Sequence, residues 1–135
     1  MTSQTIEWTA SLSTGIANVD ADHKKLIDIL NQIFIASYAG VSSEMLNKIL
    51  KELMDYTVYH FDREEKYLDS KNYPLIVEHK SQHEKLKNQL REIISKVNEA
   101  NLDNLSDETY EFLRGWLIDH IQSHDLEYAK FLKTI

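Results

Sequence analysis

Long periodic stretches with almost nothing to interrupt them are the strongest constraint in this chain. Its 135 residues include only three glycines and one proline. All but Gly115 fall before or between stretches whose apolar residues recur every three or four positions, the period of a helix with one buried face. The first stretch starts at Asp20, a plausible N-cap, and carries Leu26, Ile27, Leu30, Ile33 and Phe34 before stopping ahead of Gly40. The second opens at Ser42 or Ser43 and runs through Met45, Leu46, Ile49, Leu50, Leu53, Tyr56 and His60. Pro74 suits the first turn of a third, continued by Leu86, Leu90, Ile93 and Val97. Ser106, followed by Asp107 and Glu108, begins a fourth that carries Phe112, Leu113, Trp116, Leu117 and Ile121. The pattern predicts helices over about 20–38, 43–68, 74–99 and 107–132, after an irregular arm over about 1–18. Short links between helices make neighbours antiparallel. The expected architecture is all-α: a single domain over 1–135 forming an up-down-up-down antiparallel four-helix bundle.

Charge and composition remove several functions. The formal charge is −7 with no basic block, which argues against nucleic acid or an anionic membrane surface as partner. No apolar run approaches the roughly 18 residues of a membrane span. The segment MTSQTIEWTASLSTG lacks the basic start and apolar stretch of a secretion signal, so a cytoplasmic location is expected. There is no cysteine, so any metal here is held by imidazole and carboxylate.

The six histidines concentrate that chemistry. His60 and Glu64 are four apart and project from one helix face, as do His79 and His83. His23 falls near the start of the first helix, His60 and Glu64 near the end of the second, and His79 and His83 near the start of the third. His120, with His124 and Asp125 after it, lies late in the fourth. In an antiparallel bundle all of these arrive at one level. A single histidine on an apolar face is more often a hydrogen-bonded core residue than a ligand, and a single i,i+4 pair is commoner on a solvated surface. Their shared level is what chance placement does not explain. Several buried imidazoles without a metal would each need a donor and an acceptor partner. A structural zinc site is disfavoured, because the donors exceed what one tetrahedral ion uses.

With Trp8 and Gly15 in the arm, "DADHKKL", "HFDREE", "EHKSQH" and "WLIDHIQSHD" resemble the hemerythrins, specifically the single-domain bacteriohemerythrins, over essentially the whole chain. The resemblance implies a non-haem di-iron centre that binds O2 reversibly. It assigns His79, His83 and His120 to one iron and His23 and His60 to the other, with Glu64 and Asp125 bridging them beside an oxide or hydroxide. Helix geometry alone would choose differently. At about 100° per residue, His124 lies about 40° from His120, whereas Asp125 lies about 140° away. The resemblance selects Asp125 and leaves His124 as a packing or supporting group. Asp22 stands where the family often has glutamine. It is expected either to tune a ligand or to favour the helix N-terminus, and we favour the latter.

Five imidazoles, two bridging carboxylates and one bridging oxide or hydroxide fill all but one position on two octahedral ions. The vacancy falls on the ion bearing only His23 and His60, which suits one O2. Carboxylate-rich di-iron bundles use more anionic donors, which favour higher oxidation states. A histidine-rich set favours binding O2 and releasing it. The resemblance places Leu26, Phe61, Trp116, Leu117 and Ile121 around the open position, and they would be bundle core in any case. No catalytic acid or base stands out at this level, with Asp22, His124 and Tyr128 the nearest exceptions to that expectation. The expected function is reversible O2 binding for storage, delivery or sensing, by a monomer with no assigned protein partner. The alternatives are a di-iron enzyme (oxidase, peroxidase or nitric-oxide processing) and iron storage.

Overall fold

The computed structural model describes residues 5–102 and 104–134. After a 3₁₀ turn at Ala10–Leu12, helix α1 runs Ala17–Ala39, α2 Ser43–Ser70 and α3 Ile76–Ala100. The fourth rod is α4 (Asp107–His120), one π-helical turn (Ile121–Asp125) and α5 (Leu126–Leu132). Helix α2 packs on α1 and α3, and α1 also packs on α4, so the four rods form the expected antiparallel bundle. Among the described residues no helix is long and apolar enough to cross a membrane.

The ends follow local chemistry. Ser42 caps α2, accepting from Met45 N at 3.1 Å, and Ser106 caps α4, accepting from Thr109 N at 3.1 Å. Gly40 closes α1 with φ 69°, a left-handed conformation that costs glycine nothing. Two expected starts move. Helix α1 begins at Ala17 rather than beside Asp20, because the Asp20 carboxylate is engaged elsewhere. It accepts from Thr14 N and Thr14 Oγ1, each at 2.8 Å, and from Ser13 Oγ at 2.6 Å, and so ties the arm to the helix. Pro74 lies in the turn ahead of α3, which opens two residues later at Ile76.

The core divides into two apolar clusters. The larger includes Ile29, Leu30, Ile33, Leu46, Leu50, Leu53, Leu90 and Leu113, all fully buried, and each such side chain contributes about 1.5–3 kcal/mol. The smaller joins Val19, Leu68, Tyr73 and Tyr128. Along every rod the ligand-type residues fall between the positions that feed these two clusters. The arm closes one side of the larger cluster with Ile6 and Leu12. The Asn31 side chain on α1 anchors it, accepting from Ile6 N at 2.7 Å and donating to Ile6 O at 2.9 Å.

Asn31→Ala should therefore cost about 1–3 kcal/mol in urea unfolding, the usual loss for a buried backbone pair left without a partner. Limited proteolysis should cut the arm sooner while the helical circular dichroism is kept.

Candidate metal centre

Seven buried side chains meet between the two apolar clusters: His23, His60, Glu64, His79, His83, His120 and Asp125. They form two overlapping groups. In one, donor atoms of His79, His83, His120, Glu64 and Asp125 all lie within 4.8 Å of one another; in the other, those of His23, His60, Glu64 and Asp125 do. Both groups contain Glu64 and Asp125. Glu64 Oε1 is 2.7 Å from His79 Nε2 and 3.0 Å from His83 Nε2, while its Oε2 is 3.2 Å from His60 Nε2. Asp125 Oδ1 is 3.1 Å from His120 Nε2, and its Oδ2 is 2.9 Å from His23 Nε2.

These atoms crowd together without pairing properly. The Nε2 atoms of His23, His60, His83 and His120 and both oxygens of Asp125 are buried and lack a hydrogen-bond partner of acceptable geometry. Buried polar atoms left in this state cost free energy unless something else satisfies them. Their donors are nitrogen and carboxylate oxygen, suited to a first-row transition metal. The set fits two cations held side by side.

Asp125 reaches the cluster because the fourth rod is not a regular α-helix. The π turn over Ile121–Asp125 takes one more residue per turn, so the side chain five positions after His120 occupies the direction that the fourth would otherwise have. Asp125 is fully buried, while His124 is rotated aside and only half-buried. The His124 ring lies 5.4 Å from that of His120 and 6.3 Å from that of His79, and His124 belongs to neither donor group. Burial, followed by the charges of His120 and His79, holds its pKa below the ordinary value. A regular 100° step is what made Asp125 look misplaced in the sequence.

Surrounding groups orient the imidazoles. Asp22 is buried, and its carboxylate accepts from His60 Nδ1 at 2.8 Å, Tyr56 Oη at 2.8 Å and Arg63 Nη2 at 2.6 Å. It lies in the second turn of α1, so the favoured helix-terminus role does not describe it. Burial raises its pKa, but hydrogen bonds from His60 and Tyr56, with the charges of His60 and Arg63, hold it below the usual carboxylate range. On the other group, His83 Nδ1 donates to Glu65 Oε2 at 2.8 Å. Sequence reading missed Glu65, Tyr56 and Arg63 in these roles. Tyr56, one turn before His60, was the one marked by its spacing.

Tyr128 donates to Glu64 Oε2 at 2.9 Å. Burial, then the charges of Glu64 and Asp125, push its pKa far up, so it stays a hydrogen-bond donor and a poor acid. Leu26, Phe61, Trp116, Leu117 and Ile121 are all buried in the larger apolar cluster. Phe61 stacks on His83 with ring centroids 3.8 Å apart, and Trp116 Nε1 donates outward to Leu86 O at 3.0 Å.

A helical bundle with two overlapping histidine–carboxylate groups buried at one level defines a binuclear metal protein. The family described as "Hemerythrin HHE cation binding domain" matches residues 14–132. A bacteriohemerythrin of Methylococcus capsulatus is 32% identical over 128 residues, covering 94% of this chain and 96% of its own. One from Stenotrophomonas maltophilia is 30% identical, covering 94% and 81%. A wild-type hemerythrin crystal structure superposes with TM-score 0.85 at 29% identity, covering 94% of this chain and 97% of that one. The chain belongs to the hemerythrin family. Its cofactor is a di-iron centre, and it is an oxygen-binding protein rather than an enzyme.

Two outcomes follow from this geometry. In the metal-free protein, burial pushes His60 down, but the hydrogen bond to Asp22, the Glu64 carboxylate 3.2 Å away and the charges of Glu64 and Asp125 outweigh it and raise the pKa to about 10. His83 is raised too, against burial, by Glu64 and Glu65. A folded pKa above the unfolded one gives stability that is complete below about pH 6.5 and fades as pH climbs through about 10. Metal takes the place of the Nε2 protons, so loading at neutral pH should release protons and tighten as pH rises. Calorimetry in buffers of different ionisation enthalpy measures that release. Separately, deleting the exposed Ser123 should turn the π turn into regular helix and keep Asp125 facing inward. Inserting an alanine there should rotate Asp125 away. Metal content should be retained in the deletion and fall in the insertion.

Proposed function

We propose that this protein binds O2 reversibly, with His79, His83 and His120 holding one iron, His23 and His60 the other, and Glu64 and Asp125 between them. The observation that carries the reading is the inequality of the two donor groups: three imidazoles against two, around the same pair of carboxylates. That inequality supports a single open position on the side of His23 and His60. The irons, when bound, supply the electrons with which O2 is held.

The chain's own residues favour release over consumption. Most donors are neutral nitrogens, which stabilise the higher oxidation state less than extra carboxylates would. The apolar side chains of Leu26, Phe61, Trp116, Leu117 and Ile121 exclude water, and the one polar hydrogen among them, on Trp116, is committed to Leu86 O. None of the three candidate proton donors is suited to deliver a proton inward. Asp22 is held ionised, Tyr128 is committed to Glu64, and His124 stands outside both groups. We place the protein as a cytoplasmic monomer serving O2 storage, delivery or sensing, with any macromolecular partner unassigned. Its acidic composition supports neither nucleic acid nor an anionic membrane as such a partner.

The test is the optical spectrum of the reduced, iron-loaded protein before O2, after O2, and after O2 is removed. A ligand-to-iron charge-transfer band that appears and then vanishes is expected; a band that never forms, or that decays with net consumption of O2, rules the reading out. His83→Ala should sharply lower the iron content. His124→Ala should keep two irons per chain, and loss of one would make His124 a ligand.

A further inference from the structure

The back side of His60 is built differently from that of the other imidazoles. Its Nδ1–H donates to a buried carboxylate that is itself gripped by two further donors, the Tyr56 hydroxyl at 2.8 Å and the Arg63 guanidinium at 2.6 Å. Three side chains of α2 therefore converge on Asp22 of α1. Arg63 extends from there to the surface: its side chain is 44% exposed, and it also donates to Tyr59 Oη at 3.2 Å and Asn18 O at 3.3 Å. A groove of about 210 Å³ is lined by Asp22, His60, Arg63 and Glu64, so the partly exposed guanidinium shares it with the His60 side of the centre. His83, in the other group, has the partly exposed Glu65 behind it, a carboxylate that feels the charge of Lys80 but, among the described residues, forms no salt bridge with a lysine or arginine.

We propose that Asp22, Tyr56 and Arg63 form a relay that sets the electron richness of His60, and through it the reduction potential of the iron carrying the open position. Asp22 is a positioning residue in this relay: it touches neither iron nor O2. The proposal rests on the ligand reading above and adds to it which residues tune one iron apart from the other. A carboxylate accepting the outer N–H of a metal-bound imidazole fixes the ring and makes the inner nitrogen more basic. A more basic ligand favours the higher charge on the metal. Arg63, which keeps its charge at any physiological pH, draws electron density from the same carboxylate and tempers that effect. Asp22 and Arg63 therefore act in opposite directions on His60, although they form a single ion pair.

That opposition separates tuning from scaffolding. Asp22→Asn keeps an oxygen to accept the His60 N–H but removes the charge, so the midpoint potential should rise. Affinity of the metal-free protein for Co²⁺ at one of its two positions should fall about 10- to 100-fold. Arg63→Gln leaves the carboxylate uncompensated, so the potential should fall. Tyr56→Phe removes a neutral donor and should also lower it, by less; this mild variant keeps the test available if Asp22→Asn fails to fold. The measurement is spectroelectrochemical titration of the iron-loaded wild type and variants, with iron content determined on each sample.

Opposite shifts for Asp22→Asn and Arg63→Gln support the relay. A fall in Tyr56→Phe together with Arg63→Gln supports it in the same way. Shifts of the same sign for the Asp22 and Arg63 variants show that both simply loosen one structural contact, and overturn it; so does an unchanged potential in both the Arg63 and Tyr56 variants. If the wild type carries two irons and binds O2 reversibly while the shifts fail, the relay alone is wrong. If the wild type does not load two irons, the ligand reading falls and the relay with it.

Discussion

Imidazoles and carboxylates that are buried together yet aimed past one another are costly to assemble, and much of this bundle is arranged around that cost. Left to themselves, the side chains of His23, His120 and Asp125 would rotate to pair with each other or with water. They are prevented by apolar packing on both sides of the level, from Leu26, Phe61 and Ile121 toward the large cluster and from Val19, Leu68 and Tyr128 toward the small one. The hydrocarbon layers fix the rotamers, and the fixed rotamers leave the inner nitrogens converging on common points. The site therefore depends on this packing as much as on the donor residues themselves.

Much of this was legible in the sequence, because helix period and breaker placement are local signals. The four rods, the caps at Ser42 and Ser106, and the shared level of His23, His60, Glu64, His79, His83 and His120 all follow from spacing. The start of α1 did not follow, since the partners of Asp20 are Ser13 and Thr14 in the arm, outside any helical period. Asp125 was the clearest case. A rule of constant rotation per residue assigns it to the wrong face, and only resemblance to a family selected it. The π turn supplies the physical reason, and nothing in "IQSHD" announces a widened turn. The orientation of Asp22 toward His60 was equally out of reach, because it depends on how α1 and α2 pack.

The two halves of the centre are also held in different electrostatic settings. One imidazole in each group is backed by a carboxylate, but Asp22 is buried and bound to a guanidinium, whereas Glu65 opens toward solvent. Two metals bridged by the same carboxylates need not be chemically equal, and the outer groups offer a way to make them differ without changing a ligand. Tyr128 donates to Oε2 of Glu64, the carboxylate common to both groups, and so restrains it.

The large hydrocarbon cluster has a consequence for how the protein matures. Small zinc-dependent domains are unfolded until their ion arrives, because they lack a core of their own. Here Leu30, Ile33, Leu50, Leu90 and their neighbours join all four rods without any contribution from the centre. A newly made chain can thus wait as a finished receptacle, and cellular iron supply would govern what fraction is charged rather than what fraction survives.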